Sequence, residues 1–207
     1  MTRVLLVRHG ANDALQSGVL AGWTPGIHLN QEGRAQAEAL AQRLAPVEIE
    51  AIYTSPLERT VETAHIIAAA HGLPVVARER LGEARVGRWT GQPLEKLRTR
   101  KLWRQIQSTP STARFPGGES MRDVQARAVA ELEELQAKHR QQTIAVISHA
   151  DVIKATVAYY IGLHLDLFQR LVIAPASLTV LTLGGPTPRL ERLNDDCHLA
   201  TVVEEEE

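Results

Sequence analysis

Five side chains of this chain have the types needed to move a phosphoryl group. Arg8 and His9 stand together where the apolar run Val4-Leu5-Leu6-Val7 stops, with Gly10 next. Arg59 follows the turn-forming stretch Ser55-Pro56-Leu57-Glu58, Glu83 sits in Leu81-Gly82-Glu83, and His149 follows Ser148 at the end of the apolar run from Thr143 to Ile147. An unprotonated imidazole is a nucleophile. A guanidinium is a planar fork of donors that matches phosphate oxygens. A carboxylic acid can protonate an oxygen as it leaves phosphorus. The chemistry to expect is attack by His9 on phosphorus, with Arg8, Arg59 and His149 as donors to the phosphoryl oxygens and Glu83 as the proton source.

Taken singly, each residue also fits a plainer role. A histidine after a strand often caps or packs, an arginine in a first helical turn often faces solvent, and Glu83 fits a solvated loop. Their recurrence at strand ends points to a site instead. Thr2 to Val7, Ile49 to Tyr53, Pro74 to Ala77 and Thr143 to Ile147 read as strands, the last the most apolar and so central. Helical patterns alternate with them. Gln31 to Leu44 has Ala37, Leu40, Ala41 and Leu44 on one face. Ser55, Pro56 and Glu58 read as the cap, first turn and capping box of a helix that Gly72 ends. Gln92 to Gln107 and Gly118 to Arg140 also read as helices, and Asp151 reads as the cap of a helix that Gly162 ends. Ser177 to Leu183 and Arg189 to Leu193 read as closing strands.

This alternation predicts an α/β fold with a largely parallel sheet covered on both faces. Such a sheet gathers its strand ends at one edge, where ligands bind. Helix N-termini at that edge favour an anion. Residues from about 87 to 118, with two tryptophans and three prolines, interrupt the alternation and read as a helical cap.

Composition narrows the function classes. The 207 residues suit one domain, taken as 1–203 with 204–207 as an acidic tail. The formal net charge of -1 argues against a nucleic-acid partner. No apolar run approaches the ~18 residues of a membrane span. The single cysteine, Cys197, has no partner in the chain, and no signal-peptide core precedes Arg8, so a cytoplasmic protein is expected. His28, His65, His71, His139, His164 and His198 lack ligand spacing, so neither a metal nor a cofactor is expected. The basic run Lys96, Arg98, Arg100, Lys101 and Arg104 reads as a solvated helix face. The expected partner is a small phosphorylated substrate, and the sequence allows a homodimer.

The motifs together resemble the histidine phosphatases of the phosphoglycerate mutase-like superfamily. Leu6-Val7-Arg8-His9-Gly10, Ser55-Pro56-Leu57-Glu58-Arg59-Thr60, Leu81-Gly82-Glu83, Phe115-Pro116-Gly117-Gly118-Glu119-Ser120 and Ser148-His149 match in order and rough spacing. Residues 20–30 and 151–154 are similar to a subgroup labelled probable phosphomutase. The resemblance implies a three-layer α/β/α sandwich and a phosphohistidine on His9. It puts Arg8, Arg59 and His149 around the phosphoryl group and makes Glu83 the proton donor. Asn12, Ala21, Gly22 and Ala150 complete the candidate substrate-binding set. The family often continues Arg-His-Gly with Glu-Thr and a later Asn. Here Ala11-Asn12-Asp13 follows and Leu15 stands in that Asn's place, which makes Asn12 the candidate replacement. The chain also reads as lacking part of the middle insertion and carboxyl-terminal tail of glycolytic mutases. Hydrolysis of a small phosphomonoester is therefore expected first, with a phosphomutase and a non-catalytic phosphate-binding module as the alternatives.

Overall fold

The computed structural model describes residues 1–202, so residue 203 and the acidic run 204–207 lie outside the described residues. In chain order the strands are β1 (Thr2–Arg8), β2 (Ala51–Thr54), β3 (Val75–Ala77), β4 (Thr143–Ser148), β5 (Leu178–Leu183) and β6 (Arg189–Asp195). The helices are α1 (Asp13–Gln16), α2 (Gln31–Leu44), α3 (Glu58–Ala69), α4 (Leu94–Arg98), α5 (Lys101–Ser108), α6 (Met121–Lys138) and α7 (Ala150–Tyr160).

The six strands form one sheet in the order β3-β2-β4-β1-β5-β6. β1 to β4 run parallel, and β5 and β6 add an antiparallel edge. Successive side chains of a strand point to opposite faces, and β1 shows the consequence. Leu5 and Val7 pack with Leu40 of α2 and Ile67 of α3 on one face. Val4 and Leu6 pack with Leu132 of α6 and Val157 of α7 on the other. The result is the three-layer α/β/α sandwich with helices on both faces.

A third apolar cluster joins the segment after β3 to the outer parts of α6 and α7. Trp89, Leu97, Ile106 and Phe115 meet Val124, Val152 and Phe168 there. The helix expected over 92–107 is two helices, α4 and α5, with Arg100 extended between them (φ -79°, ψ 142°). A continuous helix, turning about 100° per residue, would put Leu97 and Ile106 on roughly opposite faces. Both are buried in the same cluster, and the break makes that arrangement accessible.

Two other expected helix starts shift. The helix expected from Gly118 begins at Met121, capped by a Ser120–Asp123 capping box. Gly118 is held out of the helix because its backbone packs against the Arg85 carbonyl, where a Cβ would lie 1.9 Å from the oxygen. The Ser55 capping box does not form. The helix starts at Glu58 with Leu57 at the cap position and no side-chain cap. Glu58 instead accepts from the Gly26 N–H at 2.9 Å, and the Ser55 hydroxyl is bonded to His149 at 2.8 Å.

Candidate active site

The strand register aligns the reactive ends. Arg8 of β1 lies opposite Ser148 of β4, and the His9 amide donates to the Ser148 carbonyl at 3.1 Å. On the other side of β4, the Ser55 amide donates to the Ile147 carbonyl at 3.0 Å. Arg8, His9, Ser55 and His149 therefore meet at one sheet edge. The turn after β1 is locked by close backbone contact, since a Cβ on Gly10 would lie 2.3 Å from the Gly33 carbonyl oxygen at the start of α2. Its amide donates to Thr63 at 3.2 Å.

His9 is 4 % exposed. Its Nδ1 donates to the Gly10 carbonyl at 2.7 Å, which fixes the tautomer and leaves Nε2 as a lone pair. The His149 ring stands edge-on to it, with centroids 5.3 Å apart. His149 is fully buried. Arg59 lies 3.4 Å from its Nδ1, so Nδ1 is the acceptor and Nε2 donates to Ser55.

Arg59 reaches the edge from the first turn of α3 and is 2 % exposed. It donates to the Gly22 carbonyl at 3.0 Å, a backbone held at φ +52°, where glycine is at ease. Arg8 donates to the Ile173 carbonyl at 2.6 Å. Arg8 Nε and Arg59 Nη1 are buried with no protein partner. An orphaned charged donor costs at least about 1–3 kcal/mol, so this edge is built to receive an anion. The N-terminus of α7 adds amides at the same place without a side-chain cap.

Glu83 completes the set. One carboxylate oxygen accepts from the Ala84 amide at 2.8 Å, and the other lies 3.7 Å from His149 Nδ1. Its backbone carbonyl is clamped by Trp23 at 2.6 Å and by Arg127 at 3.0 Å. Arg127 is itself anchored on Glu119 by two bonds.

The electrostatics separate these groups by role. Burial, and next the charges of Arg59 and Arg8, hold His9 well below the ordinary imidazole range. His149 is held well down by burial first and then by Arg59 and His9. Burial pushes Glu83 above the usual carboxylate range, and Asp151 pushes the same way, against Arg59. A nucleophile that sheds its proton easily beside an acid that holds its proton more tightly is the pairing that phosphoryl transfer from an ester needs. The sign of the pH dependence follows. As pH rises, kcat/KM should climb while His9 loses its proton, with that limb below the ordinary histidine value of about 6.5. It should fall at higher pH as Glu83 ionises. An acid limb at or above that value in a pH–rate profile on an alkyl phosphate would contradict the burial argument.

A cavity of about 160 Å³ opens on these groups and is lined by Arg8, His9, Asn12, Ala21, Gly22, Arg59, Glu83 and Ala150. Every sequence-derived candidate is on its wall except His149, which sits behind Arg59 and Glu83. Asp151 was expected only as a helix cap. The cap position is taken by His149, and Asp151 lines the cavity instead. Its place directly after Ser148-His149-Ala150 was the signal. Trp23 and Arg127, which position the Glu83 carbonyl, had no local signal, and Ser55 signalled a helix cap rather than its bond to His149. The basic run of α4 and α5 is exposed, as expected. Among the described residues no group of three His, Cys, Asp or Glu side chains is placed to hold a metal ion, and no helix is long and apolar enough to cross a membrane.

Comparison with known proteins agrees with this geometry. The family model described as "Histidine phosphatase superfamily (branch 1)" matches residues 4–196. Phosphoserine phosphatase 1 of Hydrogenobacter thermophilus is 32% identical over 201 residues, covering 96% of this chain and 95% of that protein. Bacillus stearothermophilus YhfR superposes with a TM-score of 0.91 at 28% identity, over 96% of this chain and 100% of that one. Phosphoserine phosphatase from Entamoeba histolytica, solved with 3-phosphoglyceric acid, superposes with a TM-score of 0.88 at 26% identity, over 96% of this chain and 100% of that one.

Proposed function

Because the chain belongs to the histidine phosphatase superfamily, we propose that it hydrolyses a small phosphomonoester through a phosphohistidine on His9. The observation that carries this reading is the bond from His9 Nδ1 to the Gly10 carbonyl. It leaves Nε2 unprotonated beside half-buried Arg8 and buried Arg59, each with a buried N–H group to give.

In the first step Nε2 attacks phosphorus as the ester P–O bond breaks, and Glu83 gives its proton to the leaving oxygen. Arg8 and Arg59 hold the charge of the equatorial oxygens. A bound dianion raises the proton affinity of His149, which then donates as well. In the second step a water attacks the phosphohistidine, Glu83 takes its proton, and the P–N bond breaks. This releases inorganic phosphate and restores His9. The arginines supply the charge neutralisation that a metal supplies in other phosphoryl-transfer sites.

Phosphate release from an aryl phosphate should therefore persist unchanged in excess chelator. Loss of release, with recovery on adding Mg²⁺, would overturn metal independence. With 3-phosphoglycerate and 2,3-bisphosphoglycerate supplied, any turnover should yield free phosphate rather than an isomer. Isomerisation faster than release would make the chain a mutase.

A further inference from the structure

We infer that the leaving-group side of this cavity is built for an uncharged, apolar alcohol, such as a single aromatic ring or a short alkyl chain. It is not built for one that carries a carboxylate. The inference rests on the phosphatase reading above and narrows its substrate.

Beyond the phosphoryl-binding groups the cavity wall is largely apolar, with Gln107 and Asp151 as its polar side chains. Leu20, Val86, Leu94, Trp103, Ile106 and Phe115 line it. The aromatic part is braced from behind, since Trp89 packs against Trp103 at 6.1 Å and against Phe115 at 5.7 Å between ring centroids. This wall is preformed by the apolar cluster that joins the cap segment to α6 and α7. The cavity of about 160 Å³ has to hold the phosphoryl group as well as the leaving group, so its apolar side has room for a single ring or a short chain at most, since benzene alone occupies a dry apolar cavity of ~150 Å³.

The charges point the same way. The cationic side chains on the wall are Arg8 and Arg59, both beside His9 and both committed to the phosphoryl group. Its other ionisable groups are Glu83, the proton donor at the leaving oxygen, and the acid Asp151. The five cations of α4, α5 and the link between them are exposed, and none lines the cavity. A carboxylate on the leaving group would thus meet hydrocarbon, the neutral Gln107 amide or Asp151, and no cation free of the phosphoryl group. Desolvating it there without a cationic partner is unfavourable. An ammonium group fares little better, because Asp151 already lies 3.5 Å from Lys154.

The test compares phosphate release from 2-phenylethyl phosphate and n-butyl phosphate with release from O-phosphoserine, 3-phosphoglycerate and phosphoethanolamine. All five are alkyl esters, so the comparison reads the pocket more than the leaving group. The apolar esters should exceed the charged ones in kcat/KM by about 100-fold, the scale on which a pocket rejects a group it leaves unpaired. Trp103→Ala and Leu94→Gln should each shrink that ratio by about 10-fold. The ratio is taken within each variant, so incomplete folding of a variant cancels. Preference for phosphoserine or phosphoglycerate, or an unchanged ratio in both variants, overturns the inference and leaves the phosphatase reading standing. No phosphate from any of the five or from p-nitrophenyl phosphate would instead bring down the phosphatase reading, and this inference with it.

Discussion

His9→Ala should lower kcat/KM by about 10⁵-fold or more, the order of loss when an enzyme is deprived of its nucleophile. The size follows from the absence of a substitute in the right state. The other imidazole at the edge, His149, has its Nδ1 facing Arg59 and its Nε2 engaged with Ser55. Neither nitrogen is a free lone pair aimed into the cavity. The variant should still bind phosphate, because Arg8, Arg59 and the α7 amides do not depend on the His9 ring for their positions. Arg8 is anchored on Ile173 and Arg59 on Gly22. Titrating phosphate against the variant separates the two roles. Binding retained with turnover gone is the expected pair, and activity within 100-fold of the parent would place the nucleophile elsewhere.

Glu83→Gln should cut kcat on alkyl phosphates by ~10²–10⁴-fold, the range that general acid–base catalysis contributes. The loss should shrink on aryl phosphates, whose leaving oxygen needs less help from a proton. The amide is nearly isosteric, and the Trp23 and Arg127 bonds go to the backbone carbonyl of residue 83, so the loop should stay in place. The alkaline limb of the pH profile should vanish in the same variant, since the group that ionises there is gone. Equal losses on alkyl and aryl esters, with the alkaline limb intact, would remove Glu83 from the proton-transfer role.

What the sequence disclosed depended on how local the cause was. α2 was legible from end to end because its apolar stripe lies within the segment itself, and the Asn30 cap that starts it is the residue just before. The meeting of Arg8, Arg59, Glu83 and His149 was legible because a parallel sheet gathers strand ends at one edge whatever the details between them. The start of α3 was not. Ser55 has the chemistry of a cap, but its hydroxyl is taken by His149, 94 residues away in sequence. The break between α4 and α5 was hidden for a similar reason, because it answers to a shared core that the periodicity of 92–107 does not contain. Arg127 reads locally as a surface residue of a charged helix, and only the fold brings it to the Glu83 carbonyl. Long-range contacts of this kind carry the fine positioning of the site, while short-range patterns carry its membership.

In the proposed mechanism the phosphoryl group passes through a bond to His9 Nε2. The most direct measurement is to mix the protein with an aryl phosphate, quench within the first turnover, and locate any bound phosphoryl group by mass spectrometry of the digested chain. The expected species is a phosphoenzyme that survives base, is lost in acid, and maps to His9. No covalent phosphoryl group under conditions of full turnover, or one carried on any other residue, would contradict it.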